Sequence, residues 1–267
     1  MLSLSDARVV DLSIPVEPGV ASEPWPAAIE SFDHEAGAEL LAENLRGLGV
    51  ADVTAEDFPE RMGLAWEEIE AITHTGTHLD APYHYGPTVG EDPARTIEAV
   101  PIEWCCGDAV VLDFTWKTPG TEITPAELDR QLDELDHSLS AGEIVLVQTG
   151  ADELWGEPAY LTDFPGMGAA ATEHLVEQGV RVIGTDAYGF DKPFGEMGRR
   201  YAESGDPGEL WPAHFAGREV EYCQIEKMAN LDALPRRTDV PLVTTPVAIE
   251  GASAGWVRPV ALFEGDG

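Results

Sequence analysis

Metal-binding chemistry is indicated by one short segment that contains four metal-capable side chains: His74, His78, Asp80 and His84. Imidazole and carboxylate groups suit zinc and manganese ions. Gly76 and Pro82 disfavour a helix over this segment. On an extended chain, side chains an even number of residues apart point to one side, so we expect His74, His78 and Asp80 to converge. Three convergent ligands leave coordination positions open, which is typical of catalytic metal sites.

Three other histidines show no such pattern. A lone histidine is most often a surface residue or a core residue with a hydrogen-bond partner, and we interpret His34, His137 and His174 in this way. A packed core does not collect three histidines and an aspartate, because each of these groups needs a polar partner. The segment 74–84 therefore favours a metal site over a structural role.

Motifs of other enzyme classes do not fit the chain. The zincin motif HExxH is absent. Residues 251–255 have the form GxSxG, but a strand pattern follows them and no histidine lies beyond His214 to complete a serine-hydrolase triad. A tight turn between two strands is the better interpretation of this segment. No P-loop or GxGxxG motif opens a helix after a strand, so a nucleotide cofactor has no support.

The charge of the chain is unusual. Fifty acidic residues against fifteen basic ones give a formal net charge of -35. Such a surface repels nucleic acids and anionic membranes, which excludes both as expected partners. Dissolved salt screens the self-repulsion of an acidic protein over a Debye length of about 3 Å at 1 M. Our hypothesis is that the protein is halophilic, adapted to a cytoplasm rich in salt.

The length of 267 residues and the hydrophobic fraction of 43% fit one domain over residues 1–267. The acidic segment 23–63 is expected to be an irregular and partly helical insertion, with a helix near 36–48. No apolar stretch approaches the roughly 18 residues of a membrane helix. The first residues lack the pattern of a signal peptide, and the three cysteines form no framework, so we expect a cytoplasmic protein.

Strands and helices alternate along the middle of the chain. Apolar runs predict strands over 7–14, 68–73, 108–114, 144–149, 180–185, 242–249 and 256–263. A capping box from Thr124 to Glu127, with proline at the first helical position, predicts a helix that carries an apolar stripe. A second helix is predicted over 168–178, ended by Gly179. This order indicates a mixed α/β fold.

The segment 74–84 also matches a longer signature, HxGTHxDxPxH, by which the chain resembles the cyclase / kynurenine formamidase family of metal-dependent hydrolases. Segments 149–156, 179–194, 214–219 and 251–256 are similar to the isatin hydrolase branch of that family. The resemblance implies an α/β fold of the swivelling β/β/α type, a small-molecule substrate and a homo-oligomer, either dimer or tetramer.

The resemblance also implies roles for individual residues. It assigns His74, His78 and Asp80 as metal ligands and His84 as the general acid/base. It matches His214 and Glu226, twelve residues apart, to the ligands of a second ion that Asp80 would bridge. If one ion binds, Glu226 would instead orient the ligands. The implied cofactor is Mn2+ or Zn2+, one or two ions per subunit.

The implied reaction is hydrolysis of a C–N amide bond. A bound divalent ion lowers the pKa of its water toward ~7 and polarises a carbonyl group. His84 could then carry a proton to the leaving nitrogen. Four aromatic side chains could stack on a flat substrate, although core packing explains each of them equally well: Trp66, Tyr188, Phe190 and Trp211.

Several substrates fit these parts. The segments 149–194 and 251–256 favour the isatin hydrolase branch, and N-formyl-L-kynurenine is the alternative aryl amide. A further hypothesis is a hydrolase or cyclase that acts on a lactone or a polyketide. A metal-binding protein without turnover is the alternative from another class.

Overall fold

The computed structural model describes residues 6–265 of the chain, which form two compact units. The first unit comprises 6–16, 20–24 and 73–265, and the second comprises 17–19 and 25–72. The α-helices are α1 (His34–Gly47), α2 (Pro82–Tyr85), α3 (Pro125–Glu134), α4 (Ala169–Glu177), α5 (Phe194–Ser204) and α6 (Pro212–Ala216). The strands are β1 (Ala7–Asp11), β2 (Ala28–Phe32), β3 (Trp66–Glu70), β4 (His78–Asp80), β5 (Thr88–Val89), β6 (Asp92–Pro93), β7 (Cys106–Asp113), β8 (Glu122–Ile123), β9 (Ile144–Gln148), β10 (Gly166–Met167), β11 (Val182–Thr185), β12 (Cys223–Glu226), β13 (Val240–Val243), β14 (Ala254–Trp256) and β15 (Val260–Glu264).

A nine-stranded mixed sheet organises the first unit, in the order β1-β15-β13-β7-β9-β11-β12-β4-β14. The strands β7, β9, β11 and β12 are parallel, and the strands on either side run antiparallel to their neighbours. The apolar runs 109–112 and 144–147 are buried on both faces, as expected for parallel strands that are covered on both sides. The mixed α/β fold predicted from the sequence is confirmed.

Two layers of apolar side chains lie on opposite faces of this sheet, because successive side chains of a strand alternate. Val111 belongs to one layer and its neighbour Val110 to the other. The layer of Val110 includes apolar residues of α3 and α4, the two helices predicted from the sequence. The capping box is present, with the Thr124 N–H donating to Glu127 Oε2 at 2.9 Å. Among the described residues, no helix combines the length and the apolar character needed to cross a membrane.

Several predicted elements have different bounds in the structure. The single strand predicted over 256–263 is wrong: β14 and β15 are separate, and Pro259, which lacks an amide hydrogen for a sheet ladder, lies between them. The strand predicted over 242–249 ends at Val243. The sequence patterns gave no indication of β12, α5 or α6. α5 carries two glycines, which lower its helix propensity, although Phe194, Met197 and Tyr201 recur at helical spacing.

The second unit contains α1 and the antiparallel pair of β2 and β3. The Asp33 side chain caps α1 by accepting from the N–H groups of Glu35 and Ala36. The helix predicted near 36–48 is α1. It begins two residues before the predicted start, at His34, and ends one residue before the predicted end, at Gly47. The extent of the domain remains a prediction: one domain over 1–267, with 23–63 as an insertion.

Candidate metal centre

Strand β4 places His78 and Asp80 on one face of the large sheet. It is three residues long and lies between β12 and β14. Across the β12 pairing, Asp80 stands opposite Gln224 and His78 stands opposite Glu226. Residues directly opposite each other in an antiparallel pair share a face, so four polar side chains meet here. Leu79, which points to the other face, belongs to the apolar core.

His74 reaches this face through a turn. The expectation of an extended chain from His74 to Asp80 is wrong for the first half, because Gly76 has a left-handed φ of 65° and turns the backbone. The turn still brings His74 Nδ1 to 2.8 Å from Asp80 Oδ1. The other ring nitrogen of His74 lies 3.2 Å from Ser253 Oγ, at the GxSxG-like turn before β14.

The atoms of His74, His78 and Asp80 form a group that could hold a metal ion. His78 Nδ1 lies 2.9 Å from the carbonyl oxygen of Gly76, which orients the ring and leaves Nε2 facing the carboxylates. His78 Nε2 is buried with no hydrogen-bond partner among residues 6–265, and it lies 3.3 Å from Asp80 Oδ1. A buried polar atom without a partner is costly, so its environment fits a bound cation.

His84 lies on the short helix α2. Pro82 was expected to exclude a helix from the segment 74–84. This is wrong for the last residues of the segment, because Pro82 is the first residue of α2, where its missing N–H breaks no helical hydrogen bond. His84 Nε2 lies 3.9 Å from Asp80 Oδ2, and the His84 and His214 rings are 5.3 Å apart between centroids. The ligand atoms of Asp80, His84 and His214 lie within 4.8 Å of one another and form a second group that could hold a metal ion.

His214 is held at the start of α6 by Asp191. The Asp191 carboxylate accepts from the N–H groups of Ala213 at 2.6 Å and His214 at 3.1 Å, and it also pairs with His214 Nδ1. This leaves His214 Nε2 facing Glu226 Oε1 at 3.6 Å. A carboxylate on one ring nitrogen commonly fixes the orientation of a ligating histidine.

Gln224 occupies the space between the two groups. Its Nε2 lies 3.0 Å from Asp80 Oδ2, 3.0 Å from Glu226 Oε1 and 2.7 Å from His214 Nε2. The carbonyl oxygen of this amide accepts from the Tyr222 hydroxyl at 3.1 Å. Gln224 therefore fills hydrogen-bonding positions on three groups that the resemblance assigns to a second ion.

The ionisation of the site follows from burial and from mutual charge. Burial alone would raise the pKa of Asp80, but the charges of His84, His78 and His74 outweigh it and hold that pKa well below its usual value. Burial raises the pKa of Glu226, and the charge of Asp80 adds to this. Burial lowers the pKa of His84 to about 4. Burial opposes protonation of His214 as well, but Asp191 reverses this and raises its pKa to about 9.

Two of the four predicted aromatic residues belong to one row of rings. The Tyr188 ring lies 5.9 Å from the Phe194 ring, which lies 5.2 Å from the Trp211 ring. Phe190 is buried in the core layer of α3 and α4, and only its N–H reaches the site, donating to Glu226 Oε1 at 2.9 Å. Trp66 lies in the second unit, stacked on another aromatic ring.

Four further residues were not named as site residues in the sequence analysis: Asp191, Phe194, Gln224 and Ser253. Three of them are brought to the site by strands and helices far away in the chain. Asp191 and Phe194 lie in the segment 179–194, and Ser253 lies in 251–256, both already noted for their similarity to isatin hydrolases. Ser253 lies in the GxSxG-like turn, where its hydroxyl contacts His74 of the metal motif and does not belong to a serine-hydrolase triad.

The fold and the site together define a family of metal-binding α/β proteins. The family model Cyclase matches residues 10–192, which is more than half of the chain. The chain therefore belongs to the Cyclase family, as its signature predicted.

Known relatives in this family are hydrolases. An isatin hydrolase of Roseibium aggregatum is 26% identical over 219 residues, in an alignment that covers 74% of this chain and 74% of that protein. A kynurenine formamidase of Maricaulis maris is 28% identical over 188 residues, 70% of this chain and 76% of that protein. A kynurenine formamidase of Salinibacter ruber is 28% identical over 192 residues, 70% of this chain and 75% of that protein.

Solved structures have the same fold. An isatin hydrolase bound to the product analogue thioisatinate superposes with a TM-score of 0.74 at 20% identity, covering 97% of this chain and 94% of that one. Isatin hydrolase A from Ralstonia solanacearum gives a TM-score of 0.74 at 23% identity, covering 97% of this chain and 93% of that one.

Proposed function

We propose that this chain is a metal-dependent hydrolase that cleaves the C–N bond of a cyclic aryl amide such as isatin. The observation that carries the proposal is the convergence of His74, His78 and Asp80 around the buried, unpartnered Nε2 of His78. The relatives named above, an isatin hydrolase and kynurenine formamidases, support amide hydrolysis.

The donor set fits a divalent ion of the zinc or manganese type. Two imidazole nitrogens and a carboxylate oxygen are the ligands, and Glu226 Oε2 lies 3.6 Å from His78 Nε2 as a further candidate. When bound, such an ion polarises a carbonyl oxygen and lowers the pKa of water. The carboxylate of Asp80, kept ionised by the histidines around it, is ready to bind a cation at neutral pH.

His84 is suited to carry the proton. His84 Nε2 lies 3.9 Å from Asp80 Oδ2, beside the candidate ligands, where it could accept a proton from the attacking water and pass it to the leaving nitrogen. The side chain is 31% exposed, whereas those of His78 and Asp80 are fully buried, so a substrate can reach it. His84 is therefore the candidate acid/base, and not a ligand of the first ion.

A single ion per chain is the count that the site favours. The Gln224 amide lies against Asp80, Glu226 and His214, the three groups that would hold a second ion. Glu226, which accepts from Gln224 and from the Phe190 N–H, then serves to orient the ligands.

The substrate class follows from the aromatic row and from the relatives. Phe194 is exposed and, with Trp211 beside it, could offer a ring to a flat substrate, whereas Tyr188 is buried in a small apolar cluster. N-formyl-L-kynurenine is the second candidate, supported by the identity of 28% to kynurenine formamidases. Phe190 and Trp66 remain predictions as substrate contacts.

The setting of the enzyme is a further part of the proposal. The net charge of -35 supports a protein adapted to high salt, which would work in a salt-rich cytoplasm. Family membership supports a homo-oligomer, a dimer or a tetramer.

The decisive experiment is a hydrolysis assay of isatin and of N-formyl-L-kynurenine with protein loaded with Mn2+ or Zn2+ in molar KCl. Opening of the isatin ring is the expected result, and loaded protein inert toward both amides would contradict it.

A further inference from the structure

Lys227 is a buried lysine that contacts the turn of the metal motif in two ways. It directly follows Glu226 at the end of β12, has a left-handed φ of 60°, and is 3% exposed. Its ammonium donates to the carbonyl oxygen of His74 at 2.9 Å. Its own carbonyl oxygen accepts from Thr77 Oγ1 at 2.5 Å. One residue therefore holds the turn 74–77 at both ends.

Glu23 completes the arrangement. The Lys227 ammonium lies 2.6 Å from Glu23 Oε1, and both side chains are buried. The same carboxylate oxygen accepts from the Gly76 N–H at 3.0 Å, in the middle of the turn. The ammonium also lies 4.8 Å from the centre of the Tyr188 ring, a favourable position for a cation.

We propose that Lys227 and Glu23 are positioning residues for the metal centre. They fix the backbone of the turn 74–77 and thereby set where His74 and His78 stand relative to Glu226. The inference rests on the proposed function, because it concerns the same metal site. In this proposal, one buried ion pair attaches the turn before β4 to the end of β12, in addition to the hydrogen bonds between the two strands.

Stability alone does not explain the pair. Replacing a buried ion pair by apolar side chains of similar size is often neutral or stabilising, whereas removing one partner leaves a costly unpaired charge. This pair, however, also binds the backbone of the turn 74–77, because Lys227 donates to the His74 carbonyl oxygen and Glu23 accepts from the Gly76 N–H. A correctly placed backbone matters to a metal site, because ligands need defined geometry and outer contacts maintain it.

The test compares K227M, E23Q and the double variant E23Q/K227M with the full-length wild type. The readouts are the dissociation constant for Mn2+ and for Zn2+, measured by chelator competition, and the thermal midpoint of the metal-free protein. K227M is expected to weaken metal binding roughly tenfold or more, the range found for outer contacts of metal ligands. The double variant is expected to regain thermal stability relative to K227M while its metal affinity stays low.

Lys117 provides a matched control. Its ammonium lies 2.6 Å from Glu127 Oε1, the same separation as in the Lys227–Glu23 pair, but Glu127 is on α3, which carries no site residue. K117M is expected to leave the metal dissociation constants unchanged. If K227M does not fold, E23Q and the double variant still report on the metal affinity.

Two results would overturn the inference. One is wild-type metal affinity in K227M or in the double variant. The other is a metal affinity that recovers together with thermal stability in the double variant. That result would mean that Lys227 and Glu23 only neutralise each other's buried charge and do not position the turn. Failure of the proposed function is a separate outcome, namely wild-type protein that binds metal through His74 and Asp80 but opens no amide.

Discussion

Glu226 lies directly opposite His78 across the pairing of β12 with β4, with 3.6 Å between Oε2 of the carboxylate and Nε2 of the imidazole. Two residues along the same strands, on the same face, Gln224 stands opposite Asp80, and a hydrogen bond of 3.0 Å joins them. The register of two strands thus aligns the two halves of the site.

The first prediction separates ligand from proton carrier. D80A is expected to lose metal, because it removes the carboxylate that His74, His78 and His84 all face. H84A is expected to keep the metal and to lose roughly 10²–10⁴-fold in turnover, the usual contribution of a general acid/base. Metal content by elemental analysis and initial rates of amide hydrolysis measure both. H174Q, which alters a histidine paired with Asp129 outside the site, is the control.

The second prediction concerns the number of ions. Wild-type protein is expected to bind a single tight equivalent of Zn2+ or Mn2+ per chain. Q224A removes the amide that contacts Asp80, Glu226 and His214, and it is expected to admit a second ion at higher metal concentration. Titration followed by elemental analysis after gel filtration counts the ions. Two tight equivalents in the wild type would contradict the single-ion proposal.

The third prediction is a pH dependence of stability in the metal-free protein. The folded pKa of His214, about 9, lies above its ordinary value of 6.5 because of Asp191. Its contribution is therefore fully present below pH 6.5 and is lost as the pH rises through about 9. The limit of this contribution is about 3 kcal/mol. D191N is expected to flatten the slope of the unfolding free energy between these pH values, as measured by denaturant titration. An unchanged slope would show that Asp191 does not govern His214.

The fourth prediction concerns salt. With a net charge of -35, the folded chain repels itself, and added ions screen that repulsion. The thermal midpoint is expected to rise from dilute buffer to molar KCl. Calorimetry or circular dichroism at increasing KCl measures the shift. A midpoint that falls with KCl would contradict adaptation to high salt.

The local parts of the site could be predicted from the sequence. His74, His78, Asp80 and His84 lie within one signature, and their residue types alone indicate a metal. The strands β7 and β9 are apolar runs of the expected length, and the capping box at Thr124 marks the start of α3.

The remaining parts depend on how distant segments pair. Nothing near Gln224 indicates that it stands opposite Asp80, because register is set by the order of the strands in the sheet. Asp191 reaches His214 through the start of a five-residue helix that has no amphipathic period of its own. Lys227 and Glu23 meet across 204 residues of chain, a separation that no local pattern encodes.

The short strand β4 also has a consequence for the order of folding. Among residues 6–265 it pairs with β12 and β14. The hydrogen bond of Asp80 with Gln224 spans 144 residues, and that of His74, in the turn before β4, with Ser253 spans 179 residues. Contacts of such long sequence separation form late, because the loop they close is costly in entropy. On the ribosome, the histidine motif emerges well before its partner strands exist. We therefore expect the metal centre to be among the last regions of the chain to become ordered, after the parallel strands β7, β9 and β11.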